Sequence, residues 1–205
     1  MFRFKIWAQT SEFLSLNEVR PAPLFYLYTY WSDCCSGDAP PAQQDMSLDM
    51  VRESLGNIAL IDLERNPAGA RYLLVGSALK KLLGKDPTGK LVDQVYSQSI
   101  AREVYEAFGR AVRDRQASFY QRDFEILGRS FGYYRLILPL RLGKEEAVRR
   151  ILIGIYPTDR RLIESKQWRS VVDDMENERL QEDRLSNDWR ASMEADISKQ
   201  DGMDS

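Results

Sequence analysis

Three residues in the segment LGKDPTGKLV stand at the spacing of a phosphate-binding loop. Gly84, Gly89 and Lys90 reproduce the pattern G-x-x-x-x-G-K, in which backbone N–H groups cradle phosphates and the lysine reaches the outer phosphates. A working loop of this kind follows a strand, opens a helix and carries Ser or Thr after the lysine to bind Mg²⁺. Here Leu91 occupies that position, and Pro87 removes one of the N–H donors. We therefore predict that these glycines form turns rather than a nucleotide site.

The composition excludes several kinds of catalytic and cofactor chemistry. The 205 residues include no histidine, which excludes histidine-ligated haem, histidine-based zinc sites, phospho-accepting histidines and Ser-His-Asp triads. The two cysteines, Cys34 and Cys35, are adjacent, a spacing at which a mutual disulfide is strained, and two thiols are too few for a four-cysteine metal site. We interpret acidic pairs such as Glu145 and Glu146 as charges solvated at the surface. We expect no metal site and no enzymatic activity.

Charge and hydropathy indicate a soluble protein that does not bind nucleic acid. Residues 162–205 contain 12 acidic and 6 basic side chains, and no basic stripe is interleaved with aromatic residues. The longest aromatic-rich run, LFYLYTYW, has eight residues, whereas about 20 apolar residues are needed to cross a bilayer. The N-terminus lacks a convincing signal peptide. We therefore expect a cytoplasmic protein without membrane contact.

The order of helix-like and strand-like segments predicts an α+β fold. Turn signals and changes of hydrophobic period separate the segments. In chain order, we predict helices at 24–35 and 47–55, strands at 57–63 and 70–76, helices at 78–83 and 100–115, and strands at 118–127, 133–140 and 148–156. Short turns make the last three strands an antiparallel meander. Pro139 cannot donate to a ladder, which indicates a strand end or edge there.

Several of these segments together resemble the PAS domain family. The strand RYLLVGS (residues 71–77) ends in glycine and is followed by Gly84-Lys-Asp and then by Thr88-Gly89, as in the second strand and first helices of that family. The helix bearing Trp31, the loop with Pro40 and Pro41, and the short helix before the first strand resemble the short PAS proteins of alphaproteobacteria. The resemblance covers about residues 24–161.

The resemblance implies a fold and a domain organisation. We expect a five-stranded antiparallel sheet with a helical belt, preceded by an N-terminal helix and followed by a charged C-terminal helix. Residues 1–23 then form an N-terminal extension, residues 24–161 the sensory domain, and residues 162–205 an acidic helical tail whose end we expect to be disordered.

In PAS domains the sheet and the helices enclose a small cavity, so the resemblance implies either ligand capture or contact with a partner. We predict that polar handles and apolar residues of this cavity come from strands and from the long helix. The candidates are Arg71, Tyr105, Phe108, Tyr134, Arg135, Leu136, Leu138 and Ile153. Arg135 in an apolar strand suits a carboxylate ligand, with an outward, solvated arginine as the alternative. The apolar members have the alternative of being plain core.

The ligand itself cannot be named from these residues. Light-sensing flavin PAS domains carry a cysteine in the helical middle of the domain, whereas both cysteines here precede the first strand, so we expect neither a covalent flavin nor histidine-ligated haem. The candidates for contact with a regulatory partner or a second subunit are Trp31, Trp168, Val172 and Met175. The sequence favours a sensory or regulatory module that signals through protein contacts, and the alternative is a ligand-free dimerisation or adaptor protein.

Overall fold

The computed structural model describes residues 8–64, 69–126 and 129–159, together with Leu180, Gln181 and Arg184. Its strands are β1 (Ala8–Leu14), β2 (Ile58–Asp62), β3 (Arg71–Val75), β4 (Ser118–Ile126), β5 (Arg129–Arg141) and β6 (Val148–Pro157). They form one sheet in the order β1-β4-β5-β6-β2-β3, and all neighbouring pairs are antiparallel. The predicted α+β fold with five antiparallel strands is confirmed.

Strand β1 adds a sixth strand to this sheet, which the sequence analysis did not predict. It lies within the region described above as an N-terminal extension and pairs with β4 from Ala8 opposite Glu125 to Leu14 opposite Phe119. The segment AQTSEFL is mostly polar, so it lacks the apolar content that marked the other strands. A polar edge strand of this kind gives a weak sequence signal.

In the described ranges, three α-helices and four short 3₁₀ helices with defined bounds connect the strands. The α-helices are α1 (Ala22–Asp33), α2 (Ser77–Leu83) and α3 (Gln98–Asp114), and the 3₁₀ helices are Leu16–Glu18, Gln43–Asp45, Leu48–Asn57 and Val92–Gln94. Each predicted helix between residues 24 and 115 therefore exists, although the segment near 48–57 is 3₁₀ rather than α-helical. Of the predicted C-terminal helix, the structure describes only Leu180, Gln181 and Arg184, which are helical.

Helices cover both faces of the sheet, and each face has its own hydrophobic cluster. Helix α1 covers one face, which we call the α1 face; here Leu24 and Leu27 pack with Phe119, Leu136 and Leu138. Helices α2 and α3 cover the other face, which we call the α3 face. Its cluster includes Ile61, Tyr72, Val92, Phe108, Tyr120, Ile137, Ile151 and Ile153. Because successive residues of a strand point to opposite faces, neighbours such as Leu136 and Ile137 belong to different clusters.

Two local features show why this sequence folds as it does. Gly154 in β6 lies directly under α1, where a Cβ atom would fall 2.4 Å from Cδ2 of Leu24, so glycine allows the helix to approach the sheet. Pro139 lies inside β5, beyond the last residue of that strand that pairs with β4. Its carbonyl accepts a hydrogen bond from Nε1 of Trp31 at 2.9 Å. The missing N–H of Pro139 therefore falls where β4 has ended, as the prediction of a strand end or edge implies.

Candidate functional site

The segment with the phosphate-loop spacing forms turns. Gly84 ends α2 with a φ of +66°, and Gly89 has a φ of +81°, a region that favours glycine. Between them, Asp86 accepts hydrogen bonds from Nζ of Lys80 at 2.6 Å and from the backbone and hydroxyl of Thr88. These bonds lower the pKa of Asp86 to about 2, the lysine contributing most. An anionic side chain thus occupies this loop, which argues against a bound phosphate there.

The residues predicted to line one cavity are divided between the two faces of the sheet. Tyr105, Phe108, Arg135 and Ile153 lie on the α3 face. Tyr134, Leu136 and Leu138 instead belong to the cluster under α1, so our grouping of them with Phe108 is wrong. The physical reason is that both faces of β5 are covered and apolar, and the period-2 signal that would separate them is lost.

Two of the candidates, Arg71 and Tyr134, contact other side chains or the backbone. Arg71 lies at the start of β3, where it pairs with Glu64 and donates from Nη1 to the carbonyl of Gly89 at 2.8 Å. The hydrogen bond with Glu64 raises the pKa of Arg71. Tyr134 stacks on Phe119 with ring centroids 5.7 Å apart.

Trp31 is only 6% exposed and holds α1 to β5 through Pro139, so the indole supports the fold and is not presented to a partner. The other partner candidates, Trp168, Val172 and Met175, lie outside the described residues.

A buried polar patch occupies part of the α3 face. Arg135 on β5 lies opposite Tyr120 on β4, and Tyr133 on β5 lies opposite Arg122 on β4. Residues two apart on a strand share a face, so these four side chains form a two-by-two arrangement of arginine and tyrosine. Arg122 and Arg135 are 2% and 7% exposed. We call these four residues the Arg–Tyr patch.

Helix α3 and the segment before it cover this patch. Glu103 of α3 forms an ion pair with Arg122. Arg110, which lies further along the same helix, places its guanidinium 5.9 Å from the centre of the Tyr120 ring. The patch thus lies between the sheet and the predicted helical belt, where the family resemblance implies a ligand cavity.

Two further tyrosines contribute to the same region. Tyr72 from β3 and Tyr96 from the segment before α3 have hydroxyl oxygens 3.2 Å apart. Burial raises the pKa of Tyr96 to about 12 and raises the pKa of Tyr72 well above its usual value, while the charge of Arg135 acts in the opposite direction on both. Both hydroxyls therefore keep their protons at neutral pH, and the hydroxyl of Tyr72 donates to that of Tyr96.

Arg135 differs from the other buried or half-buried arginines in what surrounds it. Its guanidinium carbon lies 5.1 Å from the centre of the Tyr120 ring. The Nε atoms of Arg115, Arg122, Arg135 and Arg150 all have no hydrogen-bond partner among the described residues. Arg122 and Arg150, however, pair with the carboxylates of Glu103 and Asp62, and Arg115 donates from Nη2 to the carbonyl of Glu146, whereas Arg135 forms no such contact in the described part of the chain. The sequence analysis identified Arg135 but missed Tyr72, Tyr96, Tyr120, Arg122 and Tyr133. The alternation of Tyr120 and Arg122 along a strand was the available signal.

A groove lies outside the sheet, between α1 and the 3₁₀ helix Leu48–Asn57. This groove has a volume of about 810 Å³. Two apolar side chains in its lining are exposed, Tyr26 by 64% and Met50 by 68%. Three acidic residues and one basic residue also line it: Asp33, Asp49, Glu53 and Arg52. The groove is therefore partly apolar and carries net negative charge.

Comparison with known proteins identifies the family. The family model described as a PAS domain matches residues 19–156. The chain belongs to the PAS domain family. PAS domains are in general sensory or regulatory modules. Within the described ranges, no helix is long and apolar enough to span a membrane, and no group of three or more His, Cys, Asp or Glu residues could hold a metal ion.

Two solved structures are similar to this PAS domain at low sequence identity. The PAS domain from Bordetella pertussis BvgS is 23% identical, with a TM-score of 0.42, and the match covers 63% of this chain and 97% of that one. A domain of an HTR-like protein from Haloarcula marismortui is 18% identical, with a TM-score of 0.36, and the match covers 50% of this chain and 97% of that one. No curated protein matches this chain.

Proposed function

We propose that this PAS domain is a non-catalytic sensory module that binds a small molecule between the sheet and α3 and passes the signal on through protein contacts. The observation that supports the proposal is the Arg–Tyr patch, in which Arg135 is buried without a hydrogen-bond partner for its Nε among the described residues. Binding sites are mostly apolar, with a few polar groups that orient the ligand. Phe108 and Ile153 supply apolar surface in the same cluster, and the patch supplies the polar groups.

The proposal includes a cytoplasmic location and an output through a regulatory partner or a second subunit. Two free cysteines, Cys34 and Cys35, are consistent with a reducing compartment. Glu103 on α3 forms an ion pair with Arg122 of the patch. A ligand that binds Arg122 or Arg135 would therefore change the electrostatic attraction between α3 and the sheet. Helix α3 is therefore the element through which we expect occupancy to be transmitted.

Native mass spectrometry of the freshly purified protein, compared with its denatured mass, tests this proposal. We expect an added mass that disappears on denaturation, since a non-covalent guest is lost when the fold that binds it is lost. A protein that carries no guest, and whose unfolding temperature does not change with any small molecule in a metabolite panel, would contradict ligand sensing.

A ligand-free adaptor is the second candidate function, and the groove between α1 and Leu48–Asn57 favours it. Its exposed Tyr26 and Met50, together with the surplus of acidic side chains, suit a basic amphipathic segment of a partner protein. A fluorescent helical peptide of Leu and Lys should bind more tightly than the same pattern with Glu in place of Lys. The double variant Tyr26→Ala, Met50→Ala should weaken that binding, whereas Leu142→Ala, at an exposed leucine outside the groove, should not.

A further inference from the structure

The buried charge of Arg135 indicates what kind of ligand the module takes. We propose that the guest is a small, singly charged carboxylate held by the guanidinium of Arg135, an inference that rests on the proposed sensory function. Arginine stays protonated in proteins, so this side chain brings a permanent positive charge into the interior. Such a charge is costly to bury unless an anion or several hydrogen bonds compensate it.

The charges on the α3 face do not balance without a guest. Arg122 is compensated by Glu103. Arg110 is exposed, so water solvates its charge. Arg135 forms no salt bridge in the part of the chain that the structure describes, and its contact is with the ring of Tyr120. One buried positive charge is therefore in excess, and one negative charge on a ligand neutralises it.

The geometry of the patch favours a carboxylate over other anions. A guanidinium donates two parallel hydrogen bonds to the two oxygens of a carboxylate, and Nε of Arg135 is one of the donors still available. Tyr72 and Tyr96 keep their hydroxyl protons and lie within the electrostatic influence of Arg135. A dianion such as phosphate would instead bring a second negative charge, and the other buried cation of the patch, Arg122, is already compensated by Glu103.

A purely structural role for Arg135 makes the opposite prediction about stability. If the residue served only to brace the fold, its removal would destabilise the protein. If the residue instead serves to bind an anion, its charge is buried without compensation when no ligand is present. Replacement by an uncharged side chain of similar length removes this desolvation penalty, so Arg135→Met should unfold at a higher temperature than wild type in a buffer free of carboxylates. The stacking contact with Tyr120 opposes this gain, since a cation over an aromatic ring is favourable.

Thermal unfolding with matched pairs of compounds tests the ligand class. Acetate and benzoate are compared with acetamide and benzamide, which have the same shape without the charge, at constant ionic strength set with NaCl. We expect both carboxylates to raise the unfolding temperature of wild type, by about 3–6 °C once their concentration is about tenfold above Kd, and the amides to leave it unchanged. The increase should disappear in Arg135→Met. It should persist in Arg102→Gln, which alters an exposed arginine on α3.

A second measurement uses the unaltered protein and does not depend on the folding of any variant. The ¹⁵N resonance of Arg135 Nε, identified by its loss in Arg135→Lys, should shift on titration with acetate but not with acetamide. An equal response to acids and amides, a response that survives in Arg135→Met, or an unchanged Nε resonance would each overturn the carboxylate assignment. A neutral guest found by native mass spectrometry would overturn the assignment while leaving the sensory function intact. The absence of both a guest and any thermal response would contradict both.

Discussion

On the α1 face the sheet presents Phe119, Leu136 and Leu138 to the leucines of a helix, whereas on the α3 face it presents Arg122 and Arg135 among tyrosines. The same strands, β4 and β5, supply both sets, because side chains alternate between the two faces. The α1 face thus gains stability mainly from apolar packing, while the α3 face also buries polar groups that cost free energy without a partner. We therefore expect the functional site on the α3 face, where polar groups are buried at a cost in stability.

Removal of a large aromatic side chain from the α1 face should give the largest loss of stability without affecting binding. Phe119 is fully buried, and we expect Phe119→Ala to lower the free energy of unfolding by about 3–5 kcal/mol. The shift in unfolding temperature caused by acetate should remain. Denaturant unfolding with and without acetate measures both quantities. Phe25→Ala, at an exposed phenylalanine on α1, is the control and should change stability by no more than about 0.5 kcal/mol.

A loss of the acetate response in Phe119→Ala, at a temperature where the variant is folded, would show that the two faces are not independent. Phe108→Ala provides the counterpart on the α3 face. Phe108 is also fully buried, so its truncation should cost a similar free energy. The contrast between the faces therefore lies in ligand response and not in the cost of a cavity.

Alkaline pH should destabilise the α3 face through its buried tyrosines. Tyr96 has a pKa of about 12 in the folded protein, against about 10 when exposed. Between these values the unfolded chain releases the proton that the folded protein keeps, so stability falls as pH rises from 10 to 12. The contribution of Tyr96 is about 2–3 kcal/mol over that window.

Chemical denaturation at several pH values checks this sign and window. The decline from pH 10 to 12 should be shallower in Tyr96→Phe than in wild type, and it should be unchanged in Tyr26→Phe, where the tyrosine is exposed. A wild-type slope in Tyr96→Phe would mean that the decline arises elsewhere in the molecule.

The hydrogen bond between Trp31 on α1 and Pro139 on β5 offers a smaller test. Trp31 Nε1 donates to the carbonyl of Pro139, and Trp31→Phe removes this bond while keeping an aromatic ring. We expect a loss of about 1–2 kcal/mol in the free energy of unfolding, because the buried carbonyl is left without its donor. Urea unfolding measures the change. An increase in stability would contradict the view that this hydrogen bond anchors the helix, and Tyr26→Phe again provides a surface control.

The sequence analysis predicted the helices and strands more accurately than the face of the sheet on which each side chain lies. Each strand from β2 to β6 was found because apolar runs and turn residues mark their limits, and Gly84 was identified as a turn from its position after a helix. In the segment YYRLILPL of β5, apolar residues occupy both the odd and the even positions, because helices cover both faces of the sheet. Leu136 was therefore assigned to the wrong face. Strand β1 was missed because its residues are mostly polar.

The candidate site was predictable only in part, for a related reason. Arg135 stood out as a charge in an apolar strand, but the tyrosines around it come from β3, β4, β5 and the segment before α3. Their convergence depends on strand order and register, which pair Tyr120 with Arg135 across 15 positions of the chain. A single sequence specifies which residue types are present and not which of them meet across the sheet.

A substitution on the outer surface of α3 should have the smallest effect on stability, and it tests whether the proposed site extends beyond the inner face of this helix. Gly109 lies within this helix, and a Cβ atom built there meets no atom within 4 Å. Alanine loses less backbone entropy than glycine on entering a helix, so Gly109→Ala should raise the free energy of unfolding by about 0.5–1 kcal/mol. The increment in unfolding temperature caused by acetate should equal that of wild type. If a stiffer α3 instead changes acetate affinity, the helix must move when the ligand binds, and the site then includes the motion of α3 as well as the residues of its inner face.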